Sequence, residues 1–209
     1  MIAHMPSTEL ESHELHREIG GILIEVASKK EGFRLLVDSA CLPIDPEPST
    51  NLARQHVPLF VSERKIAINR ICDVDVLVIN ERIGDPIVSI VVEIEESGIG
   101  PAKVCGKLLT TGLAKYYMHD GETKKVKMSL NSILFIQILK RTKEMKAVGS
   151  KVEEKMVVLE KRVQAFVDES QTTIKEYHLL IGEKNDFSPG KETRIKFVRI
   201  LEQWLDNQK

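Results

Sequence analysis

Acidic residues interrupt two stretches, RICDVDVLVIN and IVSIVVEIEE, that otherwise read as β-strands. Side chains alternate along a strand. Ile71, Asp73, Asp75 and Leu77 therefore share one face of the first stretch, and Val91, Glu93 and Glu95 share one face of the second. Carboxylates side by side in a sheet repel each other and are costly to desolvate. A divalent cation would offset the repulsion and hold them ionised. Hard oxygen ligands from adjacent strands suit Mg²⁺, Mn²⁺ or Ca²⁺ rather than a thiolate-binding metal. If the strands pair through the ERIGDP turn, Asp75 lies near Glu93. The bland alternative is a set of acids that end strands or face solvent and do nothing. Against it, the flanking residues are strongly apolar, which predicts central strands, where a carboxylate needs an explanation. The expected metal set is Asp75, Glu93 and Glu95. Asp73 is either an outer ligand or a strand-edge charge without a role.

Other chemistry is sparser. SGIGP before a helix could cradle an anion, but it lacks the GxxxxGK[ST] pattern of a nucleotide P-loop. No GxSxG or Cys–His signature points to a covalent nucleophile. His13 and His16 stand one helical turn apart and could bind a metal, but the expected reading is a pair of solvent-facing helix residues. Cys41, Cys72 and Cys105 are too widely spaced for a metal knuckle and odd in number; they read as reduced thiols.

The elements that must position these groups follow from periodicity and punctuation. TELESHELHREIGGILIEVASKKEGF reads as a helix ending near Gly32, with Thr8 and Glu11 as a capping box. Leu42 to Asn51 is a Pro-, Asp- and Ser-rich loop. VPLFV, RICDVDVLVIN and IVSIVVEIEE read as three strands, the last two a close antiparallel pair. Ala102 to Tyr117 reads as a helix, HDGETKKVK as a loop or hairpin tip, and SILFIQIL as a strand covered on both faces. Ser150 and Glu153 form a second capping box that opens a helix to about Asp168. Its apolar stripe, Val152, Met156, Leu159, Val163 and Phe166, serves the core or, if exposed, a dimer surface. IKEYHLLIG is another strand, and a final helix runs from Ser188 to Trp204. This order predicts an α/β (α+β) fold in a single domain over residues 1–209: a mixed central sheet flanked by helices.

The formal net charge of 209 residues is −1, which argues against non-specific DNA packaging and is neutral toward an enzyme. No apolar run approaches the roughly 20 residues a membrane span needs. The N-terminal stretch has no basic region followed by an apolar one, so the expectation is a cytoplasmic protein without a signal peptide.

ICDVDVLVIN, a turn, VVEIEE and then a helix together resemble the core of the PD-(D/E)XK nuclease superfamily, the restriction-endonuclease-like fold. That core is a helix, three antiparallel strands, a helix and a further strand, and the resemblance covers the first two thirds of the chain. It implies that Asp75 matches the motif Asp, Glu93 the motif acid, and Glu95 the motif Lys position. Glu14 or Glu18 on the first helix would add a further carboxylate. Val74 stands where the motif has Pro. Glu95 in place of Lys makes a Glu-x-Glu variant, and Lys103 and Lys107, one helical turn apart, are candidates for the missing positive charge. The resemblance implies a Mg²⁺-dependent DNA endonuclease, with Mn²⁺ as a substitute, yielding a 5′-phosphate and a 3′-hydroxyl. Asp75, Glu93, Glu95 and Lys107 would be catalytic, with Glu95 as general base or ligand of a second metal. Phosphate contacts need local positive charge, and Arg141, Lys143 and Lys146, with Lys103, are the expected DNA-binding residues. A site-specific restriction enzyme acting as a homodimer is favoured, because two symmetric sites most simply cut two strands. The rivals are a repair or junction-cleaving nuclease, and an inactive relative that binds nucleic acid or a protein.

Overall fold

The computed structural model describes residues 13–42, 53–54, 56–82, 84–97, 100–119, 125–146 and 151–208. The chain runs through α1 (Glu14–Ala27), β1 (Phe33–Asp38), β2 (Ala53–Arg54), β3 (Val57–Phe60), β4 (Arg70–Val74), β5 (Val76–Asn80) and β6 (Ile87–Glu95). It continues through α2 (Pro101–Leu113), β7 (Tyr116–Tyr117), β8 (Val126–Lys127), β9 (Ile133–Lys140), α3 (Lys143–Lys146), α4 (Lys151–Glu169), β10 (Ile174–Gly182) and α5 (Glu192–Asp206). The expected mixed sheet flanked by helices is what forms.

The sheet is organised around β6. It pairs antiparallel with β5, which pairs antiparallel with β1. On its other side β6 pairs parallel with β9, and β9 pairs parallel with β10. Strands covered on both faces can be apolar throughout, and β5, β6 and β9 are buried over nearly their whole lengths. Their alternation sorts two cores. Val76, Val78, Ile90, Val92 and Ile136 face α1 and α5; Leu77, Val91, Phe135 and Tyr177 face α2 and α4. The stripe Leu15, Ile19, Ile22, Leu23 and Val26 seats α1, each such residue contributing about 1.5–3 kcal/mol by burial. Gly20 lets that helix press onto the turn at Cys41, since a Cβ there would lie 2.0 Å from the Cys41 carbonyl oxygen. Among the described residues β10 pairs only with β9, and two of its outer amides are taken by α4 side chains. The Tyr177 N–H donates to Gln164 Oε1 at 2.7 Å and the Leu179 N–H to Glu160 Oε1 at 2.9 Å, which blunts the middle of that edge.

Several expectations need correction. Phe33–Asp38 is a strand that was not anticipated, and it rather than VPLFV completes the antiparallel trio of the central sheet. VPLFV forms β3, which pairs with β4 and β7 off to the side. RICDVDVLVIN is two strands, not one; the chain bends at Asp75, so β4 and β5 serve different partners. The helix expected to reach Tyr117 ends at Leu113, and Tyr116 and Tyr117 form a hairpin strand with β8. The last helix starts at Glu192, beyond Ser188 and Pro189. On α4, Met156 and Val163 are buried as expected, whereas Phe166 is 47% exposed. Thr8, Glu11 and Ser150 lie outside the described residues, as does most of the Leu42–Asn51 loop. No described helix is long and apolar enough to cross a membrane.

Candidate active site at the end of the central strands

The β5–β6 register sets Val76 opposite Val92 and Leu77 opposite Val91. One step further places Asp75 against Glu93, as the alternation of the two stretches predicts. Asp75 sits at the bend before β5, where its backbone C=O accepts from the Asp38 N–H at 2.7 Å. Its Oδ2 accepts from the Ile94 N–H at 2.6 Å, so β6 itself holds the carboxyl against Glu93. Glu93 is 4% exposed. Burial first, then the neighbouring Asp75, push its carboxyl up to about 8, against the pull of Lys107. Burial also raises Asp75, against the opposing effects of His16, the Ile94 N–H and Lys107.

The cations that face the strand acids are lysines of α2. Lys107 Nζ lies 2.9 Å from Glu93 Oε2, and Lys103 Nζ lies 2.6 Å from Glu95 Oε1. The match is geometric. Four residues of helix rise about 6 Å and two residues of strand about 6.6 Å, so an i, i+4 lysine pair lies over an i, i+2 glutamate pair. Burial works against the Lys107 charge, but Glu93 and Asp75 outweigh it and its ammonium is held more firmly than usual. One acceptor is left over. No neighbouring N–H or O–H reaches the buried Glu93 Oε1; only the carboxyl's own hydrogen, shared with Asp75, can occupy that side, and without it the oxygen is left in a costly state. An orphaned oxygen beside a second carboxyl is a donor set that fits a hard divalent cation, with Asp75 and Glu93 as its ligands.

The opposite face of the same strand end is built differently. Glu96 follows β6 and points toward α1. Its Oε1 accepts from His16 Nδ1 at 2.8 Å and from the His16 backbone N–H at 3.3 Å, while Lys140 Nζ approaches Oε2 at 3.1 Å. The carboxylate thus serves the first turn of α1, where free N–H groups and the helix dipole favour negative charge. Burial would raise it, but His16 and Lys140 outweigh burial and lower Glu96 to about 2. The bond to Glu96 turns His16 Nε2 toward Asp75 Oδ1, at 3.7 Å. Burial opposes the His16 charge, yet Glu96 and Asp75 together raise its pKa.

No protein-family model, curated protein or solved structure matches the chain.

The structure brings Asp75, Glu93, Glu95, Lys103 and Lys107 together and leaves other expected residues elsewhere. Asp73 lies on β4 and is held by Arg70, with Nε 2.9 Å from Oδ1, whereas Asp75 stands at the bend between β4 and β5. Glu14 pairs with Lys184 and Glu18 with Arg194, so neither reaches Asp75; His16 does. Of the expected DNA-binding residues, only Lys103 lines the recess formed with Glu93, Glu95, Lys107 and Gln137. Arg141 pairs with Asp186 at 3.0 Å, Lys146 pairs with Glu183, and Lys143 is exposed on α3. His16 is 8% exposed, not solvent-facing. Its spacing from Ile19, Gly20 and Leu23 was the available signal. His13, exposed, completes a His13–His16–Glu96 group whose ligand atoms lie within 4.8 Å of one another. That nitrogen-rich set says nothing about Mg²⁺, which takes oxygen ligands. Glu96 and Gln137 were also missed, although Gln137 is the one polar residue from Ile133 to Leu139.

Proposed function

We propose that this protein is a Mg²⁺-dependent DNA endonuclease that hydrolyses phosphodiester bonds, with Mn²⁺ as a substitute. The observation that carries the reading is the buried Asp75–Glu93 pair with its orphaned Glu93 oxygen, faced by Lys107 from the following helix. The order α1, antiparallel β1–β5–β6, α2 and parallel β9 supports it, since it parallels the restriction-endonuclease-like core that the sequence resembles. Lys107 stands in for the motif Lys: the charge comes from α2 rather than from position 95.

Asp75 and Glu93 would hold the metal. When bound, Mg²⁺ supplies Lewis acidity toward a phosphate oxygen and makes nearby water more acidic. Lys107, released from part of its charge pairing with Glu93, faces the phosphate and offsets charge developing there. Glu95 accepts the proton of the attacking water as general base, with Lys103 Nζ beside it at 2.6 Å. His16 braces Asp75 from the other side. Within this reading the favoured subtype is a cytoplasmic, homodimeric, site-specific restriction enzyme.

The test is supercoiled plasmid incubated with protein and Mg²⁺ or EDTA, beside Asp75→Asn and Glu93→Gln. Metal-dependent cutting by the wild type, lost in both variants, is the expected result; discrete fragments mark the restriction subtype. A second reading, a non-cutting binder of nucleic acid, draws on the lysines that already neutralise both strand glutamates. Failure to cut duplex, single-stranded and branched DNA with Mg²⁺ or Mn²⁺ would overturn the enzyme in favour of that binder.

A further inference from the structure

Gln137 and Tyr177 form a buried polar pair that nothing in the mechanism above uses. Gln137 lies on β9 directly beside Glu93 in the parallel register and is 3% exposed. Tyr177 on β10 is 2% exposed, and its hydroxyl donates to Gln137 Oε1 at 2.8 Å. Neighbouring residues on this face, Phe135, Leu139 and Leu179, are apolar. A Leu–Phe pair would fill the same space without burying an amide and a phenol. The pair therefore needs a reason beyond packing.

Its geometry suggests one. A phenol has a single hydrogen to donate, and the carboxamide oxygen takes it. Burial raises the Tyr177 hydroxyl well above its ordinary range, so it remains a donor. With the oxygen committed to Tyr177, the –NH₂ of Gln137 is directed the other way. It is not used to satisfy Glu93, whose Oε1 accepts no hydrogen bond. What remains is the recess that Gln137 lines with Glu93, Glu95, Lys103 and Lys107. Its free space is about 10 Å³, room for one oxygen atom of a water or a phosphate. Lys103, Lys107 and the Gln137 amide all approach it as donors.

We propose that Gln137 is a substrate-contacting residue whose carboxamide N–H donates to a single non-bridging oxygen of the phosphodiester, and that Tyr177 is the positioning residue that fixes the amide's orientation. The proposal rests on the phosphodiester reading above.

The test uses DNA duplexes carrying one phosphorothioate at the cleaved position as separate Rp and Sp diastereomers, cut by wild type, Gln137→Leu, Gln137→Glu and Tyr177→Phe. Sulfur accepts a hydrogen bond poorly, so wild type should discriminate between the diastereomers. Q137L should cut the all-oxygen duplex about 10- to 100-fold more slowly and lose most of that discrimination. Q137E, which places a carboxylate where the amide was, should be at least as slow. Y177F should fall between wild type and Q137L. Duplex affinity measured in Ca²⁺ should weaken in Q137L, while Mn²⁺ affinity without DNA stays unchanged. A wild type that neither binds nor cuts DNA defeats the phosphodiester reading and this inference with it. A wild type that cuts while Q137L and Y177F keep its rate and discrimination defeats only the inference. Loss of rate in Q137L accompanied by lost Mn²⁺ affinity, with discrimination intact, assigns the pair a structural role and also overturns it.

Discussion

Glu93 and Glu96 stand three residues apart at the end of one strand, yet their surroundings drive them in opposite directions. Glu93 faces α2 from the central strand, with a second carboxyl beside it and no neighbouring donor on Oε1; its carboxyl rises to about 8. Glu96 faces α1 with three hydrogen bonds from His16 and Lys140 and falls to about 2. One keeps its proton to high pH, and the other is a permanent anion that holds a helix and a histidine. A carboxylate's role here is decided by which face of β6 it leaves from. Two helical glycines differ likewise: Gly20 of α1 sits against backbone, whereas nothing lies within 4 Å of a Cβ at Gly106 of α2.

The severest break of this contrast is Gly20→Ala. Backbone cannot yield a contact of 2.0 Å, so the substitution should cost about 3 kcal/mol or more, read as a lowered denaturation midpoint, and should displace His16 from Asp75. Glu93→Gln comes next. It removes a ligand charge and should weaken Mn²⁺ binding about 10- to 100-fold or more by calorimetry, with the fold retained. Glu96→Gln should leave metal binding far less affected but cost about 2 kcal/mol of stability, since His16 and Lys140 lose a charged acceptor. Gly106→Ala, whose methyl would enter open space, should raise stability by about 0.5–1 kcal/mol.

The two acids also make opposite pH signatures. The folded-state pKa of Glu93 is raised, so its contribution is complete below the ordinary 4.5 and is lost as pH rises toward 8. The folded-state pKa of Glu96 is lowered, so its contribution is present above 4.5 and is lost as pH falls toward 2. Denaturation midpoints measured across pH should show the wild type losing stability in both directions. Glu93→Gln should flatten the alkaline decline alone, and Glu96→Gln the acid decline alone. A single variant flattening both, or neither, would refute the division.

Much of this site was legible in the chain. Alternation in RICDVDVLVIN and IVSIVVEIEE and the ERIGDP turn were enough to put Asp75 beside Glu93, because strand periodicity and a short hairpin connection are local rules. The i, i+4 spacing of Lys103 and Lys107 marked a charged helix face. Alternation failed at the bend: it carried Asp73 along with Asp75, since no residue type in VDV announces that the chain leaves one strand partner for another. The strand Phe33–Asp38 was overlooked because FRLLVD lacks the strict alternation of a half-buried strand, so Gly32 read only as the stop of the preceding helix.

The sequence by itself thus determined which acids would be neighbours along paired strands and which lysines a following helix would offer. Only the tertiary structure decided what lies over each face. It chose His16 rather than Glu14 or Glu18 to meet Asp75, seated Glu96 at the start of α1, and joined Tyr177 to Gln137 across two parallel strands. These contacts link residues 40 to 80 positions apart, and no periodicity reaches that far. They follow from how the helices bury their stripes against the sheet.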